Sequence, residues 1–186
     1  MRSPPRKLAT EEQLYQAALR ALMRRAHSVY EMRQALERRL PTEAGAEGKT
    51  IVGRVLGRLK EQKLLDDARY TQQFARYRAE SRRQGRYRIA RDLRARGVHD
   101  RHIEVALEEI FSETDEAALV RQRLERHLKS LRGRGARDAA LNQRRLASLY
   151  RSLLRAGFSR DVIRRELRAL TKKDVPEFED TETAED

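Results

Sequence analysis

The stretch LRARGVHDRHIEVAL, beginning at Leu93, and the stretch LLRAGFSRDVIRREL, beginning at Leu153, align without a gap. Leu93, Gly97, Ile103 and Leu107 meet Leu153, Gly157, Ile163 and Leu167. A Gly between two apolar helical stripes ends the first helix in a left-handed backbone conformation, so the match concerns backbone geometry as well as hydrophobicity. A chain that repeats a helix, a glycine turn and a second helix belongs among stacked helical modules, each burying one face internally and against its neighbours.

The remaining helices follow from capping signals and apolar spacing. Thr10, Glu11, Glu12 and Gln13 form a capping box, after which Leu14, Ala18, Leu22 and Ala26 share a face. Ser28 and Glu31 repeat the box before Val29, Met32, Leu36 and Leu40, and Pro41 closes that helix. PTEAGAEG reads as a long loop, and Ile51, Val55 and Leu59 form the next stripe. Asp66 or Asp67 caps a helix with Tyr70, Phe74 and Tyr77 as its buried stripe, and Gly85 punctuates before Ile89 and Leu93. Asp100 is expected to cap a short helix carrying Ile103, Leu107 and Ile110. Thr114 or Asp115 opens a helix through Val120, Leu124, Leu128 and Leu131; after the loop GRGARD come Leu146, Leu149 and Leu153, and Ser159 caps Ile163, Leu167 and Leu170.

The expected fold is therefore all-α: tandem three-helix repeats, about nine helices, forming an elongated curved rod. The repeats span 11–63, 64–112 and 113–172, between an N-terminus (1–10) and an acidic tail (173–186) that are both expected to be disordered. Hydrophobic residues make up 39% of the chain and Trp is absent, so the core is thin and built from Leu, Ala, Val and Ile. Cysteine is absent too, which removes disulfides, thiolate metal sites and cysteine nucleophiles and suits a reducing cytoplasm, the expected location. MRSPPRKLAT lacks an apolar signal region and no stretch approaches the roughly 20 apolar residues of a membrane span, so no membrane partner is expected.

A formal net charge of +13 attracts and steers polyanions, either nucleic acid or an acidic protein surface. The alternative is that the arginines reflect genome composition. Charge is segregated as well: Asp174, Glu177, Glu179, Asp180, Glu182, Glu185 and Asp186 close the chain without Lys or Arg among them. Such a tail is either a solubilising extension or an internal competitor for the basic face.

From Leu56 to Val98 the sequence LGRLKEQKLLDDARYTQQFARYRAESRRQGRYRIARDLRARGV resembles the middle of RecX proteins. Leu64, Leu65, Asp66, Asp67, Tyr70, Phe74, Arg78, Gly85, Ile89, Leu93 and Gly97 occupy the places of that family's pattern, and the resemblance extends more weakly from Gln13 to Leu170. It implies a non-enzymatic regulator of the RecA recombinase that binds in the groove of the RecA–DNA filament. Suppression of ATP hydrolysis, strand exchange and co-protease activity would follow, and with it modulation of DNA repair, recombination and the SOS response. No catalytic residues and no cofactor come with the resemblance, and the chain is expected to act as a monomer. The alternative is an autonomous helical binder of DNA or RNA, contacting single or double strands directly.

The densest basic run, Arg76, Arg78, Arg82, Arg83, Arg86, Arg88 and Arg91, is the first candidate for filament or phosphate contact, because guanidinium groups engage carboxylates and phosphates bidentately. Arg132, Arg134, Arg137, Arg144 and Arg145 form a second candidate cluster. Either run is otherwise a solvated helical face. Charge reversal at Arg82, Arg83 and Arg86 is expected to weaken binding while leaving helicity unchanged. Tyr70, Phe74 and Tyr77 fit a core stripe better than a base-stacking platform, while Tyr87 and Tyr150 read as core-edge residues with wet hydroxyls. His99 and His102 suit a helix start better than a metal site, and Asp66 with Asp67 suits capping better than acid–base catalysis. No GxxxxGK[ST] loop is present to cradle phosphates.

Overall fold

The computed structural model describes residues 10–113, 115–132 and 143–171. Among them the chain is helical, with no strand: α1 (Glu11–Leu22), α2 (Val29–Glu37), α3 (Gly45–Glu61), α4 (Asp67–Glu80), α5 (Arg86–Arg94), α6 (Asp100–Glu113), α7 (Glu116–Arg132), α8 (Gln143–Arg155) and α9 (Arg160–Thr171). Thr114, the GRGARD loop, residues 1–9 and the acidic tail lie outside the described residues. The chain forms two compact units, one from Met1–Arg76 with Ala90–Glu108 and one from Tyr77–Ile89 with Glu109–Asp186.

In the first unit α1, α2 and α3 bury Leu14, Ala18, Met32, Leu36, Val52, Val55 and Leu59 together. Each large aliphatic side chain so buried contributes roughly 1.5–3 kcal/mol. The caps are those expected. Thr10 Oγ1 accepts from the Gln13 amide at 3.3 Å, and Ser28 with Glu31 makes the reciprocal box that starts α2.

Three details of α1, α2 and α3 differ from the sequence expectation. Helix α1 ends at Leu22, so Ala26 lies beyond it and is exposed. Helix α2 ends at Glu37, before Pro41 acts. Residues 41–48 are not a long loop: Thr42–Ala44 is a 3₁₀ turn and α3 starts at Gly45. The glycines there serve close packing as well as turning. Gly45 takes φ +46°, and a Cβ on Gly48 would stand 2.7 Å from Ala44 Cβ and 2.9 Å from Leu40 Cδ1.

In the second unit α7, α8 and α9 bury Val120, Leu124, Leu149, Leu153, Phe158, Ile163 and Leu167. Tyr150 is wholly buried there, against the expectation of a wet hydroxyl, while Leu170, near the end of the α9 stripe, is exposed.

The two glycine turns behave alike. Gly97 and Gly157 take φ +67° and +87°. Each turn closes with the same bonds, Val98 N to Leu93 O and Gly97 N to Arg94 O in one, Phe158 N to Leu153 O and Gly157 N to Leu154 O in the other. The lengths agree as well, at 3.3 and 2.8 Å in both, so the helix stops are the same structure made twice.

Candidate functional site

The first arginine run occupies the second half of α4, the turn that follows and α5. Helix α4 is started by Asp66, whose Oδ1 accepts from the Arg69 amide at 3.0 Å; Asp67 instead accepts from the Val29 amide at 2.8 Å and ties α4 to the start of α2. Both carboxylates serve helix ends. At the far end, the Gln84 amide reaches back to Arg78 O, and Arg83 turns the chain at φ +48°, an uncommon conformation for a residue with a Cβ. Gly85 is buried, its amide donates to Ala156 O at 2.9 Å and that of Tyr87 to Gly157 O at 3.1 Å. A side chain on Gly85 would collide with the Gly157 backbone. The start of α5 is thus docked on the glycine turn between α8 and α9.

A second joint has the same plan. Ser28, just before α2, donates from Oγ to Arg96 O at 2.6 Å, and the Tyr30 ring covers Gly97, leaving no room for a Cβ. In both joints the start of a module's second helix sits on the glycine turn between the second and third helices of the next.

These joints divide the candidate arginines. Arg88 donates from Nη1 to Arg155 O at 3.0 Å and Arg83 from Nε to Gln122 Oε1 at 2.8 Å, so both hold structure. Arg82 and Arg86 are exposed, with their guanidinium carbons 5.8 Å from the Tyr77 ring centroid and 5.6 Å from that of Phe111. Arg78 is half-buried, and Arg76 and Arg91 are exposed but belong to the other unit. Of the second run, Arg144 is exposed and Arg145 half-buried at the start of α8; Arg134 and Arg137 lie outside the described residues, as does the side chain of Arg132.

The aromatic expectation is corrected in part. Tyr70 is buried and stacks on Phe74 with centroids 6.0 Å apart, but Tyr77 is 51% exposed and does not join the core. Tyr87 is 62% exposed. Two accessible rings therefore interleave with arginines on the 77–89 segment. His99 rather than Asp100 precedes α6: its Nδ1 faces the Arg101 amide at 3.2 Å, while Asp100 accepts from Arg94 Nε at 2.6 Å. The helix they open is fourteen residues long rather than short.

A half-buried carboxylate, Glu31, and a buried one, Glu166, organise charge in the units. In the first, Glu31 accepts from Arg25 Nη1 at 3.1 Å, from the Ser28 amide at 3.2 Å and from the Tyr70 hydroxyl at 3.2 Å. Burial works to raise its pKa, yet the Arg25 and Ser28 bonds and the charges of Arg25 and Arg96 hold it below the ordinary Glu value. Burial, then the Glu31 charge, pushes the Tyr70 hydroxyl up to about 12. In the second, Glu166 accepts from Arg121 Nη1 at 3.1 Å.

Arg123 and Arg126 on α7 escaped the sequence reading. They flank the buried Leu124, and burial followed by the charges of Arg88 and Arg126 lowers the pKa of Arg123. Their signal in the sequence was an i, i+3 pair of arginines beside a core leucine, too common on helices to single out.

A family model described as RecX, second three-helix domain, matches residues 66–107. Regulatory protein RecX of Halorhodospira halophila is 38% identical over 159 residues, covering 84% of this chain and 87% of that one. The Streptomyces coelicolor protein of the same name is 33% identical over 172 residues, covering 92% and 82%. The crystal structure of RecX from Lactobacillus salivarius superposes with a TM-score of 0.67 at 19% identity, over 88% of this chain and 97% of that one, a likeness of fold.

Proposed function

This chain belongs to the RecX family of regulatory proteins, and from that premise we propose that it regulates the RecA recombinase by binding the RecA–DNA filament in its groove. In this reading it suppresses ATP hydrolysis, strand exchange and co-protease activity without chemistry of its own, as a cytoplasmic monomer. Three modules, 11–63, 64–112 and 113–172, carry the arginines of this contact. The observation that carries the reading is the 38% identity to a named regulator across nearly its whole length. The charge of +13 is consistent with a polyanionic target. Contact falls to Arg82, Arg86 and Arg91 with Arg76 and Arg78, while Arg83 and Arg88 position the segment that carries them. Arg132, Arg134, Arg137, Arg144 and Arg145 form a second contact.

The test is DNA-dependent ATPase activity of the cognate RecA with this protein titrated in, alongside a measurement of free DNA. Loss of activity while DNA remains available to RecA is the expected result. Unchanged ATPase together with salt-sensitive DNA binding would favour the second reading, an autonomous nucleic-acid binder. That reading draws on the exposed Tyr77 and Tyr87 among arginines, since bases stack on accessible rings beside cationic groups.

A further inference from the structure

Helices α7 and α8 enclose a groove of about 370 Å³ in the second unit, with Leu124, Leu149 and Leu153 as its apolar lining and Arg123, Arg126 and Ser152 at its polar edge. Arg123 is half-buried and spends one guanidinium donor on a 3.4 Å bond to Arg83 O, so most of its five N–H groups remain for a ligand. The charges that bear on it are those of Arg88 and Arg126, with no carboxylate among them. A cationic edge over a leucine floor suits an acidic segment with interleaved apolar residues better than a bare phosphate chain, whose backbone offers the leucines nothing to bury.

The chain itself carries such a segment. After Thr171 the sequence continues KKDVPEFEDTETAED, in which Val175 and Phe178 alternate with Asp174, Glu177, Glu179 and Asp180; these residues lie outside the described ones. The path to the groove is short. Helices α7 and α9 run in the same direction, since Glu116 at the start of α7 faces Ser159 at the start of α9, and Arg121 pairs with Glu166 further along. Equal steps from that pair, Arg121 to Arg126 and Glu166 to Thr171, bring the end of α9 level with Arg126. Three extended residues span about 10 Å, the diameter of a helix.

We propose that residues 174–180 dock in the α7–α8 groove, with Val175 and Phe178 on its leucines and the flanking carboxylates on Arg123 and Arg126, so that the chain holds an internal ligand for this groove that competes with any acidic partner for it. A tethered segment at millimolar effective concentration outcompetes a free copy of itself.

The experiment uses a fluorescent peptide of residues 174–186, titrated against the full chain and against a chain ending at Lys173, with binding read by anisotropy. The shortened chain is expected to bind the peptide saturably, and the full chain about tenfold more weakly because its groove is filled. Phe178→Ala in the peptide, which leaves the protein untouched, and Arg126→Glu at an exposed position of the shortened chain should each weaken binding severalfold. Equal affinity of the two chains, equal binding by a scrambled peptide of the same composition, or absence of binding to the shortened chain overturns the proposal. Neither RecA nor DNA enters the assay, so its failure leaves the filament reading standing and the reverse.

Discussion

At the scale of single residues, Glu31 and Tyr70 show how a few polar atoms set pH behaviour in a thin core. The folded pKa of Glu31 is held below its ordinary value, so its stabilising contribution is present above that ordinary value and is lost as pH falls through the lower, folded one. Glu31→Gln should therefore flatten the acid limb of stability against pH, as read by urea midpoints between pH 3 and 6; an unchanged limb would mean the carboxylate is not linked to folding. Tyr70 has the opposite sign. Its folded value of about 12 lies above the unfolded one, so its contribution holds below pH 10 and is lost as pH rises toward 12. Phenolate absorbance should show one tyrosine titrating near 12 in the folded protein, and Tyr70→Phe should delete that step. Neither group was singled out in the sequence for this role: Glu31 was legible as half of a capping box, but its arginine partners Arg25 and Arg96 meet it only in the fold.

At the scale of elements, the helix stops and the joints built on them are the organising feature. Gly97 and Gly157 were legible as helix stops because a repeated Gly between apolar stripes has few other uses. What covers them was not, since Tyr30 and Arg88 come from elements far away in sequence. Replacing either glycine by Ala combines left-handed backbone strain of about 1–2 kcal/mol with overpacking of about 1–3 kcal/mol, giving an expected loss of roughly 2–5 kcal/mol in denaturant unfolding. In Gly157→Ala the amides of Gly85 and Tyr87, which donate to the same turn, should also exchange faster with solvent. Protection equal to that of the parent chain would show the joint to be dispensable. PTEAGAEG departs from its loop signals for a related reason. Glycine signals a break when only local conformation is considered, whereas Gly48 lets Leu40 and Ala44 approach the helix closely.

At the scale of the whole molecule, the proposed function depends on where the arginines go. The sequence predicts that reversing Arg82, Arg83 and Arg86 weakens binding without loss of helicity; the structure changes the choice of residues, because Arg83 bonds Gln122 from a left-handed turn and Arg86 faces Glu116. Arg82→Glu with Arg91→Glu is the cleaner variant, both side chains being exposed. It should weaken filament binding severalfold, with a shallower salt dependence and an unchanged circular dichroism spectrum. Full inhibition of the recombinase by that variant would remove Arg82 and Arg91 from the mechanism. The all-helical class, the caps at Thr10 and Ser28, the helix stops at Gly97 and Gly157 and the resemblance to the family were legible in the sequence alone, since they follow from local periodicity, hydrogen-bonding side chains and backbone preferences that neighbours in the chain enforce. Only the tertiary structure decided that Tyr77 is exposed and Tyr150 enclosed, that Arg83 and Arg88 hold joints, and that Arg123 and Arg126 edge a groove. Amphipathic spacing ranks the faces of a helix, but which face is covered, and by what, depends on partners whose approach no local pattern encodes.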